Sequence, residues 1–235
     1  MTLLISRKHN IEVVIFDAGG TLIGFNDATP FYNFLIANTP LNYPQPTLKN
    51  AFILMKRAEE KYNLALKEKI NQKKPIDTSG LIWYKVFKEL WPESEVVANS
   101  MFNLFIKGHF NTLYEDVIPT LKLIASRSIK MGVLSNFSPT LEGHFKDLCI
   151  HHFFSFFVVS SLVNLRKPDR EIFELAIKMS GCSKDKILYV GDNIQTDIEG
   201  AKAVGLKAVL IDRDSTWNDV KYIRLQSLRD IHMLI

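Results

Sequence analysis

Asp17, Ser135, Asn136, Lys167, Asp192 and Asp197 are the positions of this chain whose types and surroundings could do chemistry. Asp17 closes an apolar run, Ile11–Phe16, and is followed by Ala18, Gly19, Gly20 and Thr21. A carboxylate fixed at the end of a buried strand, beside a glycine-lined turn, suits phosphate handling, because small residues let backbone N–H groups approach an anion. Ser135 and Asn136 end a second apolar run, Lys167 precedes Pro168 and Asp169, and Asp192 ends the segment KILYVGD with Asp197 in the same stretch. Each also has a plainer reading. Asp-Gly clusters end strands simply as turns, Ser135–Asn136 can start a loop, and Lys167 can be a surface lysine before a helix. Asp197 can be a favourable charge in a first helical turn.

What sets the group apart is the set of elements that must carry it. From Tyr114 onward, short apolar runs alternate with helical patterns. Helices are expected over 117–127, 138–147, 169–180 and 195–204. Strands are expected over 129–136, 156–160, 186–192 and 207–211. This alternation predicts an α/β fold, a doubly wound, Rossmann-like parallel sheet covered on both faces. Ligands in such sheets sit at the carboxyl ends of the strands. Asp17, Ser135 and Asp192 each stand where an apolar strand ends.

Residues 26–112 change character, with no strict strand alternation. A short helix over 30–38 is followed by Pro40, Pro44 and Pro46, and then by a long helical pattern from Thr47 to Ile70. Thr47 is placed to cap that helix. Helices over 79–90 and 93–109 complete a helical insert. The expected organisation is therefore a core of 1–24 and 113–235 with an all-helical domain over 25–112.

Composition excludes several classes. With 47% hydrophobic and 23% charged residues the chain is ordinary globular protein. The net charge of +4 is spread along the sequence, and the Lys-rich 67–74 stretch lacks the interleaved aromatics of a nucleic-acid surface. No apolar run approaches the roughly 20 residues of a membrane span. Cys149 and Cys182 show no metal-ligand spacing, and MTLLISRKHN does not have the layout of a secretory signal. A soluble, cytoplasmic protein with neither nucleic-acid nor membrane partner is expected. The sequence does not indicate an oligomeric state.

In order and spacing, the chain resembles the haloacid dehalogenase-like hydrolase superfamily. F-D-A-G-G-T-L (16–22), V-L-S-N (133–136), R-K-P-D (166–169) and G-D-N-I-Q-T-D (191–197) correspond to its four motifs. The helical insert lies where that family carries its cap, with hinges implied near 24–26 and 111–113. The resemblance implies a phosphatase acting on a small phosphorylated metabolite, with Asp17 as nucleophile and an aspartyl-phosphate intermediate. It implies Mg²⁺ held by Asp17, Asp192 and the Gly19 carbonyl, with Asp197 as a further ligand or support. Ser135, Asn136 and Thr21 would bind the phosphoryl group, and Lys167 would act as an electrostatic clamp.

One position departs from the pattern. Phosphatases of the family carry a second Asp in the first motif as general acid and base, and Gly19 stands there instead. General acid–base help is worth about 10²–10⁴-fold. The implied enzyme is accordingly slow or restricted to good leaving groups. Two alternatives stand beside it: another chemistry of the same family, such as phosphonate cleavage, and a non-catalytic protein that binds a phosphorylated ligand.

Overall fold

The computed structural model describes residues 11–24, 28–57, 80–105, 112–213, 215 and 221–235. The chain divides into two compact units, Met1–Gly24 with Leu113–Ile235, and Phe25–Thr112.

The first unit is built on β1 (Val13–Phe16), whose four residues are buried on both faces. Complete burial of each of these side chains contributes about 1.5–3 kcal/mol. Two further two-residue strands are β2 (Ile23–Gly24), which ends the first core segment, and β3 (Thr112–Leu113), at the start of the second. The remaining strands are β4 (Lys130–Ser135), β5 (Phe156–Val159), β6 (Ile187–Gly191), β7 (Lys207–Ile211) and β8 (Ile223–Leu225). With β1 they form a six-stranded sheet in the order β5-β4-β1-β6-β7-β8, parallel throughout.

Strand periodicity sorts the core into two layers. Val14 and Phe16 face a cluster with Leu121, Ile124, Val133, Val190 and Ile211. Val13 and Ile15 face a second cluster with Leu134, Val158, Ile172, Phe173 and Tyr189. The expected doubly wound sheet is present. Gly132 in β4 pairs with Phe156 in β5, and a Cβ at Gly132 would fall on the Phe156 ring.

In the second unit, α1 (Thr29–Asn38) carries Pro30 in its first turn. Residues 48–57 form α2, and the Thr47 hydroxyl accepts from Asn50 N–H at 3.1 Å as the expected cap. The 58–70 part of that expected helix lies outside the described residues. Helices α3 (Gly80–Leu90) and α4 (Glu95–Phe105) follow. Phe31, Leu35, Met55, Phe87, Trp91 and Met101 form the core of this unit.

Several boundaries move from their expected places. The helix expected over 138–147 is α6 (Leu141–Asp147), because Ser138 and Thr140 close a turn through their hydroxyls at 2.6 Å around Pro139. Helix α5 (Val117–Ser126) and helix α8 (Arg170–Ser180) lie close to the expected ranges. A four-residue helix, α7 (Ser160–Val163), precedes Lys167 and was not expected. The helix expected over 195–204 is a wide π-type turn, Ile194–Glu199, running into α9 (Gly200–Ala203). Strand β8 and the helical turn Leu228–Met233 were not expected either. Among the described residues no helix is long and apolar enough to cross a membrane.

Candidate active site at the carboxyl edge of the sheet

Phe16 pairs with Val133 on one side and Val190 on the other, so the ends of β1, β4 and β6 lie level. Asp17 follows Phe16, Ser135 is the last residue of β4, and Asp192 follows β6. The Asp17 N–H donates to Val190 O at 2.8 Å, which fixes the nucleophile candidate to the neighbouring strand.

Carboxylate oxygens of Asp17, Asp192 and Asp197 lie within 4.8 Å of one another. Lys167 is inserted among them. Its Nζ donates to Asp17 Oδ1 at 2.7 Å and to Asp197 Oδ1 at 2.5 Å, and the side chain is only 2% exposed. Such an ammonium is tolerated in the interior because it is paired and hydrogen-bonded. Three carboxylates around one ammonium leave a formal charge of −2.

Titration follows from this packing. Burial alone would lower the Lys167 ammonium, but the charges of Asp17 and Asp197 reverse that and hold it above its ordinary value. Burial pushes the Asp17 carboxyl up; Lys167 pulls against this, Asp197 adds to the rise, and bonds from Lys167 and Ser135 offset part of it. Asp192 is pushed well above the usual carboxylate range by burial and by the charges of Asp17 and Asp197. A cluster with this surplus of negative charge favours a bound cation or bound protons.

Glycines shape the cluster at two points. Gly20 has φ +75, and a Cβ there would fall on the Asp192 carboxylate. The turn after Asp17 is closed by Gly20 N–H to Ile23 O (2.8 Å) and Ile23 N–H to Ala18 O (3.0 Å), so neither bond uses the Gly19 carbonyl. A Cβ on Gly19 would meet nothing within 4 Å.

The chain matches the family model for haloacid dehalogenase-like hydrolases over residues 11–205. It belongs to that family. It is 37% identical over 124 residues to the glyceraldehyde 3-phosphate phosphatase of Methanopyrus kandleri, covering 52% of this chain and 53% of that protein. It is 30% identical to haloacid dehalogenase-like hydrolase domain-containing protein 3 of Danio rerio, over 50% of this chain and 48% of that one. The chain thus spans about half the length of the curated relatives it matches. The HAD-hydrolase YfnB from Bacillus subtilis, solved bound to magnesium, superposes with a TM-score of 0.77 at 16% identity, over 95% of this chain and 98% of that one. At that identity the likeness concerns the fold.

The site residues expected from the sequence are brought together unevenly. Asp17, Lys167, Asp192 and Asp197 form one connected group, with Ser135 close enough at the end of β4 to draw the Asp17 carboxyl down. Asn136 does something its motif did not announce. Its Oδ1 accepts from Lys167 N–H and its Nδ2 donates to Lys167 O, both at 2.9 Å, so its side chain holds the lysine backbone on both sides. Thr21 is fully buried, and its hydroxyl has no hydrogen-bond partner among the described residues.

Tyr189 was missed by sequence reasoning. Its hydroxyl lies 2.8 Å from Asp197 Oδ1 and 3.1 Å from Lys167 Nζ. A buried tyrosine needs a partner for its O–H, and that is the signal its place in KILYVGD carried. Asn193 was missed too. Its Oδ1 accepts from Gln195 and Thr196 N–H, both at 3.0 Å, while its own N–H donates to Asp197 Oδ2 at 3.0 Å. Both oxygens of Asp197 are thus engaged within the protein.

Proposed function

We propose that this hydrolase is a Mg²⁺-dependent phosphatase of small phosphorylated metabolites, with Asp17 as nucleophile and turnover that is slow or restricted to good leaving groups. The observation that carries the reading is the placement of Lys167 Nζ between Asp17 and Asp197, beside Asp192. A lone ammonium neutralises only part of that cluster. Hard oxygen donors with surplus negative charge suit Mg²⁺. The protein oxygens that would hold it are those of Asp17, Asp192 and the Gly19 carbonyl, which neither bond closing the turn uses. Bound there, the ion would screen the repulsion between carboxylate and phosphate.

The protein's own groups divide the remaining work. Asp17 attacks phosphorus and the leaving oxygen departs, giving an aspartyl-phosphate that water then hydrolyses. Lys167 holds a fixed positive charge beside Asp17, where the transferred group gains negative charge. Ser135 and the Asn136 backbone would donate to phosphoryl oxygens, while the Asn136 side chain keeps Lys167 in place. Asp197 acts mainly through Lys167, since its oxygens are already bonded. No side chain at position 19 can protonate the leaving oxygen, which is why good leaving groups are favoured. The phosphatase names among the relatives support this reading. The Phe25–Thr112 unit is proposed as the helical cap that selects the substrate, and the two free cysteines suit a cytoplasmic setting.

Release of phosphate from an aryl phosphate such as p-nitrophenyl phosphate tests the proposal. Mg²⁺-dependent release is expected from the wild type and none above background from Asp17→Asn. Equal rates for the two proteins in Mg²⁺ would remove it.

A further inference from the structure

We infer that Arg213 is a positioning residue that holds the Asp17–Thr21 turn from behind, through the Thr21 carbonyl. The inference rests on the chemistry proposed above for that turn. Arg213 lies just beyond β7, far in sequence from the four motifs, and does not touch the carboxylate cluster. Its guanidinium is bidentate on Asp116, with Nη1 to Oδ2 at 2.7 Å and Nη2 to Oδ1 at 3.0 Å. The same Nη2 donates to Thr21 O at 2.8 Å. The Tyr114 ring covers the guanidinium, with Cζ 3.9 Å from the ring centroid.

The anchor is itself rigid. Asp116 is 2% exposed, and its Oδ2 also accepts from Ser227 Oγ at 2.8 Å and from Leu228 N–H at 2.9 Å. Arg213 and Asp116 together therefore join three separate pieces of the first unit: the turn after β1, the entry to α5 and the C-terminal turn. A planar guanidinium fixed by two parallel bonds has little freedom left, so its third bond reports a defined position. That third bond ends on the carbonyl of the turn that presents Asp17 and Gly19. Backbone bonds inside the turn close it locally and Tyr114 N–H reaches Leu22 O at 3.3 Å, while Arg213 adds a side-chain bond to the Thr21 carbonyl from beyond β7. Displacements of about 1 Å in a catalytic group can cost about 10²-fold in rate.

A residue that merely stabilises the fold would behave differently from one that positions the turn. Truncating Arg213 also leaves Asp116 as a buried, unpaired carboxylate, which is destabilising for its own reason. The double variant Arg213→Met with Asp116→Asn removes that charge and separates the two effects. The test uses the full chain and compares wild type, Arg213→Met, Arg213→Lys and the double variant. Three readings are taken: kcat and KM on p-nitrophenyl phosphate with Mg²⁺, thermal melting, and amide hydrogen exchange.

Arg213→Met is expected to lower kcat about tenfold or more with KM changed by less than about twofold. Exchange of the 18–24 amides should quicken while that of β6 does not. In the double variant melting should return toward wild type, while kcat and exchange of the turn should not. Recovery of all three together would overturn the inference, as would wild-type kcat and exchange in Arg213→Met. If Arg213→Met does not fold, Arg213→Lys decides. Lysine keeps the charge but lacks the rigid planar fork that fixes the Thr21 bond relative to the Asp116 pair, so wild-type kcat together with wild-type exchange of 18–24 would again overturn the inference. If the wild type shows no Mg²⁺-dependent turnover, the proposed function fails, and the exchange of 18–24 still decides the role of Arg213.

Discussion

Lys167 Nζ lies 2.5 Å from Asp197 Oδ1, in a place where neither side chain is more than 2% exposed. The pair does not neutralise its surroundings, because Asp17 and Asp192 share the same few ångströms. Removing one partner of a buried pair costs about 3–5 kcal/mol. Lys167→Met should therefore melt well below wild type in the absence of metal. The same change raises the formal negative charge of the cluster, so Mg²⁺ should stabilise the variant more than it stabilises the wild type. Turnover should be lost in both conditions. Thermal melting with and without Mg²⁺ checks this, and an equal Mg²⁺ shift in the two proteins would contradict the charge argument.

Tyr189→Phe isolates a smaller contribution. The ring packs edge-on against Phe173 with centroids 5.5 Å apart, and phenylalanine preserves that contact. Only the hydroxyl between Asp197 and Lys167 is lost, and Lys167 still bonds Asp197 directly. A net loss of about 1 kcal/mol in stability is expected, as for one ordinary hydrogen bond. Turnover should fall by roughly two- to tenfold, since 1.36 kcal/mol of barrier corresponds to tenfold in rate. Urea unfolding and steady-state kinetics measure the two effects, and a loss as deep as that of Asp17→Asn would place Tyr189 in the chemistry itself.

The parts of this site that could be read from the sequence are those for which strand burial and residue order leave a linear trace. Val13–Phe16 and Ile187–Gly191 are buried on both faces, so they stand out as continuous apolar runs with Asp17 and Asp192 directly after them. Tyr189 sits inside such a run and looks like core, and half of it is. The Asn136 side chain could not be assigned to Lys167 because its partner lies 31 positions away, and Arg213 meets Asp116 across 97. Strand β8 was invisible for another reason: Ile223 and Arg224 are exposed, leaving Leu225 as its one buried residue. The wide turn at Ile194–Glu199 escaped because its start is set by the Asn193 side chain rather than by hydrophobic spacing.

Asp116 predicts a pH dependence of stability. Burial would raise its carboxyl, but bonds from Arg213, Leu228 N–H and Ser227 outweigh this and hold it below its ordinary value of 3.8. A carboxyl depressed in the folded state binds its proton more readily in the unfolded chain. Its contribution is present above the unfolded value and is lost as pH falls through the folded one. Asp116→Asn should therefore be less stable than wild type at neutral pH, with the gap closing below about pH 4. Urea unfolding of both proteins across that range measures the gap, and a constant difference down to the lowest pH would mean that Asp116 is not the group responsible.

Gly19 and Gly20 are neighbours with opposite tolerances. A side chain at 19 meets open space, whereas one at 20 falls on the Asp192 carboxylate and must also adopt φ +75. Gly19→Asp should fold normally and place a carboxyl where a proton is needed at the leaving oxygen. General acid–base help is worth about 10²–10⁴-fold when well placed, so alkyl phosphate turnover should rise by about tenfold or more. Aryl phosphates, whose leaving groups need less protonation, should gain much less. Gly20→Ala should do the reverse, displacing Asp192 and lowering both Mg²⁺ affinity and turnover toward every substrate. Rates on one alkyl and one aryl phosphate, with Mg²⁺ titrations of each variant, separate the cases. If Gly19→Asp leaves the ratio of alkyl to aryl turnover unchanged, another group already delivers the proton and the missing carboxyl is not what limits the proposed reaction.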